Sequence, residues 1–255
     1  MMLKTVASRA TLAGLLLLTI YAGPLPAQQD LYEEETGVSA KARDLFNKAQ
    51  RLEQGGRGEE AIKTYRDAIR LEPNYPAAYQ QLGLAYANQN RYLEAVQAFK
   101  EVLRLQPQSS LAQGNLGAAY MKMERFQEAR DVFREAVRLR PDDAENHYNL
   151  GVALGKLKQD REAREEFAQA VKLQPELARA HRNLGMAELN LNRLDEARKE
   201  LQEAVSLDPK DPQARYALCV YYARTGDAQA ANREFKVLQD LDKNLAQKLK
   251  DRVRK

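Results

Sequence analysis

Residues 76–109 read PAAYQQLGLAYANQNRYLEAVQAFKEVLRLQPQS. Tyr79, Leu82, Gly83 and Tyr86 fall at helical spacing, and Ala95 and Phe99 do so again beyond a polar Asn88-Gln89-Asn90 turn. This predicts two short helices joined by a tight turn. The glycine removes a side chain where the second helix must come close, and Ala95 and Phe99 fill that contact. Pro107 then ends the second helix and bends the chain onward.

Outward from this stretch the pattern returns at one fixed interval. Pro73, Pro107, Pro141, Pro175 and Pro209 keep the step, as do Ala61, Ala95, Ala129, Ala163, Ala197 and Ala231. Beyond each alanine, one helical turn on, stands a large apolar side chain: Tyr65, Phe99, Phe133, Phe167, Leu201 and Phe235. A Leu-Gly pair recurs at Leu82-Gly83, Leu116-Gly117, Leu150-Gly151 and Leu184-Gly185, and becomes Leu218-Cys219 in the last copy. No helix pair can bury its apolar face alone, so neighbouring copies must stack. Truncation of a core aromatic such as Phe133 to alanine is expected to cost about 3–5 kcal/mol.

The pattern resembles the tetratricopeptide repeat, which runs aromatic, Leu-Gly, Tyr, Ala, Phe and Pro over about 34 residues. The unit 76–109 matches throughout, with Tyr79, Leu82, Gly83, Tyr86, Ala95, Phe99 and Pro107. The resemblance implies an all-α, right-handed solenoid of about six helix-turn-helix units at 42–75, 76–109, 110–143, 144–177, 178–211 and 212–245. Departures are Lys48-Ala49 for the first Leu-Gly, Gln113 and Arg215 in the first aromatic slot, Glu188 in the tyrosine slot and Lys243 for the last proline. Residues 246–255 read as a basic capping helix, with Leu245, Leu249 and Val253 on one face and Lys248, Lys250, Arg252, Arg254 and Lys255 on the other. Three apolar residues make too narrow a face for a membrane-surface helix.

The segment 1–27 reads as a secretory signal peptide. Lys4 and Arg9 precede an apolar run centred on Leu15 to Leu18, and Gly23, Pro24 and Pro26 lead to a small residue, Ala27. Cleavage there removes Lys4 and Arg9, lowers the net charge from +4 to +2 and leaves a flexible acidic leader over 28–41, with Glu33, Glu34 and Glu35. A run shorter than the roughly 20 residues that span a bilayer favours cleavage over a retained anchor. The chain is therefore expected to be exported, periplasmic or secreted. A membrane-tethered form with the segment kept is the alternative.

Composition narrows the chemistry. Of 255 residues, 40 are Lys or Arg and 36 Asp or Glu, a balance unlike that of a dedicated nucleic-acid binder. One cysteine, Cys219, and two histidines, His147 and His181, exclude internal disulfides and zinc fingers. The histidines occupy equivalent aromatic slots and read as packing, as does Cys219 in its small-residue slot. Gly55-Gly56-Arg57-Gly58 reads as a turn rather than a phosphate loop, and Glu165-Glu166 as solvated charge. No enzyme activity, cofactor or metal is expected.

In the family, the first helix of each unit lines a concave groove. By register the resemblance places Asn115, Asn149 and Asn183 there, one per unit, beside an apolar strip of Leu84, Val152, Met186 and Val220. Tyr148 and Tyr216 would anchor amphipathically, with Arg182 and Lys156 nearby. An amide both donates to and accepts from a peptide backbone, so such a row can hold an extended segment. The same asparagines can instead brace neighbouring helices. Lys122, Lys156, Arg179, Arg182 and Arg224 outnumber Glu145, which predicts a mild preference for acidic or polar segments. Some relatives grip a terminal carboxylate with Lys, Asn and Arg at fixed slots. Here those slots hold Phe46, Gln50, Gln81, Leu111 and Asn115 in one window and Gly114, Ala118, Asn149, Arg179 and Asn183 in another, which disfavours that mode. The expectation is an exported scaffold or adaptor that binds a protein or peptide segment, in a cell-envelope assembly. A structural or oligomerising solenoid working through its convex face or ends is the alternative.

Overall fold

The computed structural model describes residues 38–253; the expected signal peptide and most of the acidic leader lie outside them. The described residues contain thirteen helices and no strand. They are α1 (Ala40–Gln54), α2 (Gly58–Leu71), α3 (Pro76–Asn88), α4 (Tyr92–Leu105), α5 (Ser110–Lys122), α6 (Phe126–Leu139), α7 (Ala144–Lys156), α8 (Asp160–Leu173), α9 (Ala178–Asn190), α10 (Leu194–Leu207), α11 (Pro212–Thr225), α12 (Ala228–Leu241) and α13 (Lys243–Val253). The helix α1 starts inside the stretch read as leader, because Ser39 caps it by accepting from the Ala42 N–H. Within each of the two units described below, consecutive helices pack as in a tetratricopeptide solenoid.

The chain forms two compact units, one ending at Arg125 and one starting at Phe126. The first holds α1 to α5 and the second α6 to α13. The division falls in the turn between α5 and α6, inside the expected unit 110–143.

The turn within each pair has one construction. Gly56, Asn90, Glu124, Lys158, Asn192 and Gly226, one in every copy of the repeat, all adopt the left-handed conformation. The following N–H then reaches back to the carbonyl five residues earlier, as in Arg91 to Tyr86 and Arg193 to Glu188, both at 2.9 Å. Second helices open on a residue whose side chain links to a glutamate three further on: Arg57–Glu60, Arg91–Glu94, Gln159–Glu162 and Arg193–Glu196. Ser109, Asp143 and Asp211 cap α5, α7 and α11 through their side chains.

Close approach of the two helices depends on the small residue predicted from the sequence. A Cβ at Gly83 would meet the Phe99 ring at 2.5 Å, and one at Gly185 would meet Leu201 at 2.7 Å. Phe99 and Leu201 are accordingly buried. Where Cys219 replaces the glycine, Phe235 is only half-buried, and Lys250 of α13 lies 5.2 Å from its ring centroid. Cys219, Leu238, Ala246 and Leu249 form a buried cluster there, so α13 covers the last pair.

Candidate functional site

The proposed lining residues come from the first helices of successive pairs. In the first unit, Leu84 on α3 is half-buried and Asn115 on α5 is buried. Gln80, also on α3, is buried with neither amide atom hydrogen-bonded. In the second unit, α7, α9 and α11 carry the remaining residues.

There the structure brings Tyr148 and Asn183 together: the Asn183 amide donates to the tyrosine hydroxyl at 3.4 Å. The Arg179 guanidinium lies 4.7 Å from the Tyr148 ring centroid, while Phe167 packs on that ring at 6.0 Å. Arg179 is itself paired with Glu145. Burial raises the Glu145 carboxyl above its usual range, and the adjacent Arg179 offsets part of that. Tyr148 is therefore a fixed side chain with one face covered by a cation. Asn149 is 7% exposed, and its side-chain nitrogen has no hydrogen-bond partner.

Val152, Met186 and Val220 are half-buried, and Met186 and Val220 lean on a core of Leu189, Leu201, Leu218 and Tyr221. Tyr216 packs with the cluster that includes Ala246 and Leu249 of α13. Lys156 is exposed.

The expected surplus of groove cations does not hold. Arg179 is neutralised by Glu145, and Arg182 by Asp211 at 2.6 Å. Arg224 donates to the Leu189 carbonyl at 2.8 Å and thereby closes the end of α9. Three of the five cations are thus engaged within the fold, and the preference for acidic segments is withdrawn with them. Sequence reading missed Asp211 as the Arg182 partner and did not pair Glu145 with Arg179. For Glu145 and Arg179 the available signal was opposite charge in the same slot of adjacent repeats.

Two other expectations change. Glu166 is not solvated charge but is bonded to buried His147. Glu188, in the tyrosine slot, is 4% exposed; it lies 3.1 Å from Arg193 and 3.7 Å from Arg164. At the matching slots Tyr86 and Tyr120 stack under Arg91 and Arg125, so an ion pair here replaces a cation–π contact. Burial raises the Glu188 pKa despite both arginines. Cys219 is buried, and desolvation pushes its thiol up to about 12.

Among the described residues, no helix is long and apolar enough to cross a membrane. Sequence models of the family described as tetratricopeptide repeat match residues 159–212, 183–245 and 76–109, and a further one, TPR repeat, matches 49–90 and 117–158. No curated protein matches the chain. Among solved structures, MamA from Desulfovibrio magneticus RS-1 is 30% identical, with 68% of this chain and 98% of that one aligned at a TM-score of 0.64. YrrB, described as a TPR protein with an unusual peptide-binding site, is 26% identical over 73% of this chain and 97% of its own, at a TM-score of 0.60. PilW, a type IV pilus biogenesis factor, shares the fold at 19% identity over 79% of this chain and 94% of its own, with a TM-score of 0.68.

Proposed function

The chain belongs to the tetratricopeptide-repeat family, and from that premise we propose that it is an exported scaffold holding an extended segment of a partner protein against its first-helix face. Its fold is that of a protein-interaction scaffold, and no catalytic family is indicated. The observation that carries the reading is Asn149, whose buried amide nitrogen is left without an internal acceptor. A bound backbone carbonyl would supply one. Asn183, held by Tyr148, adds a second amide, and Val152, Met186 and Val220 offer an apolar strip that tolerates varied side chains. With Arg179 and Arg182 internally paired, the segment suited to this face is neutral and apolar rather than acidic. That the YrrB neighbour is described as having a peptide-binding site supports a peptide as the kind of ligand.

We assign residues 1–27 to a cleaved signal peptide and residues 42–245 to six repeats, with the last helix as a cap. We place its role in a cell-envelope assembly. Intact mass of the mature chain tests the first assignment: a species starting at Gln28 is expected, and retention of Met1–Ala27 defeats it. For the face itself, Asn149→Ala combined with Met186→Ala is expected to abolish partner capture while helicity and Tm stay near wild type. Undiminished capture transfers the activity to the convex face or the ends.

A further inference from the structure

The two histidines are held in the same way. His147 Nδ1 lies 2.6 Å from Glu166 Oε2, and its Nε2 lies 3.0 Å from the Pro141 carbonyl oxygen. His181 does the same one repeat later, with Glu200 Oε2 at 2.7 Å and the Pro175 carbonyl at 2.8 Å. Both nitrogens of each ring thus face acceptors. A neutral imidazole has one N–H and one lone pair, so it leaves one contact as lone pair against lone pair. The imidazolium donates at both.

The next copy has the same clasp built from arginine. Arg215 donates from Nη1 to Glu234 Oε2 at 2.8 Å, and from Nε and Nη2 to the Pro209 carbonyl at 3.3 and 3.2 Å. In each case the carbonyl belongs to the connection entering a helix pair and the carboxylate to the second helix of that pair. The arginine clasp carries a permanent charge, whereas the His147 clasp is titratable.

The surroundings of the rings are defined. Near His147 stand Glu166 on α8 and Asp143 at the cap of α7, the latter 3.7 Å from Arg140, while Arg138 in the last turn of α6 is paired outward with Glu135. At His181 the facing acid is Glu200 on α10; Lys172 and Glu176, on the approach from α8, are exposed. The neighbouring charges on α7, on α9 and at the α11 cap are taken up in the Glu145–Arg179 and Arg182–Asp211 pairs.

We propose that His147 is an acid-strengthened clasp on the entry to its own helix pair, which ties the connection before α7 to α8 when the ring is doubly protonated and releases it when it is not, while the Arg215 clasp stays closed. The direction follows from linkage. The Glu166 hydrogen bond, opposed by burial, raises the His147 pKa above its ordinary value. The clasp's contribution is then complete below the unfolded value of about 6.5 and is lost as pH rises through the folded one.

The test uses the full chain. Amide exchange, corrected for its intrinsic pH dependence, is followed at 140–147 and 208–215 between about pH 5 and about pH 8. Protection of 140–147 is expected to fall several-fold relative to 208–215 as the pH rises. In a His147→Arg variant that difference is expected to vanish. Equal pH response of the two segments, or an unchanged response in the variant, overturns the proposal. Should the variant not fold, nitrogen-15 shifts of the His147 ring decide. Both nitrogens protonated at about pH 7, where an unfolded ring is mostly neutral, supports the clasp; a neutral ring overturns it.

Discussion

The Phe167 ring lies over Gly151 so closely that a Cβ at Gly151 would stand 2.7 Å from the ring edge. Phe167 is buried and cannot retreat without opening the contact between α7 and α8. Gly151→Ala is therefore expected to destabilise the chain by about 1–3 kcal/mol, as overpacking does. Gly155, one turn further along the same helix, has nothing within 4 Å of the same atom. Gly155→Ala is expected to stabilise by about 0.5–1 kcal/mol through helix propensity. Urea unfolding midpoints of the two variants should move in opposite directions.

Lys158 holds the left-handed position of its turn at φ 60° without being glycine. A side chain in that conformation costs roughly 1–2 kcal/mol, part of which glycine gives back as chain entropy in the unfolded state. Lys158→Gly is expected to raise stability by up to about 1 kcal/mol. Gly226→Ala, at φ 81° in the last turn, is expected to lower it by about as much. Thermal melts would check both.

Glu188 is the buried acid in a slot where tyrosine stands at 86 and 120. Glu188→Tyr restores a ring for Arg193 to cover and is expected to be neutral or stabilising by about 1 kcal/mol, since buried ion pairs are often replaceable by well-packed apolar groups. Glu188→Ala removes the partner of Arg193 and Arg164 and leaves a void, with an expected loss of about 2–3 kcal/mol. The folded pKa of Glu188 is raised, so the native state binds its proton more tightly than the unfolded one. Its unfavourable contribution therefore grows as pH rises through the carboxylate range and disappears in Glu188→Tyr. Stability measured against pH in both proteins tests this.

The Cys219 thiol, raised to about 12 by burial, carries almost no thiolate near neutral pH. Native protein is expected to resist a thiol-specific disulfide reagent, with modification proceeding at the rate of unfolding. Rapid labelling of the folded chain would contradict the packing in which Cys219 meets Leu238, Ala246 and Leu249.

The helix pairs were legible because their signal is periodic. Pro107, Leu82-Gly83 and Phe99 mark breaks, close approach and core at one fixed step, and local chemistry carries each role. The left-handed turns were not legible, because glutamate at 124 and lysine at 158 give no sign of positive φ. Contacts across helices were hidden for a different reason. Glu166 reaches His147 from 19 residues away, and Asp211 reaches Arg182 from 29. Nothing in the local pattern of either residue distinguishes an internal partner from a solvated charge. For the candidate face, register named the residues, and only the fold revealed that Arg179 and Arg182 are already paired with Glu145 and Asp211.

Among the described residues, every repeat hairpin bends at the same ordinal position and is locked by the same backward hydrogen bond. Such a chain can gain or lose length in whole modules, because the remaining bends keep their phase. A single inserted residue within a module has no such freedom: it rotates everything downstream in that hairpin off its partner. Variation among relatives should accordingly be quantised, with duplications of entire blocks tolerated and insertions of one or two residues confined to the connections between pairs.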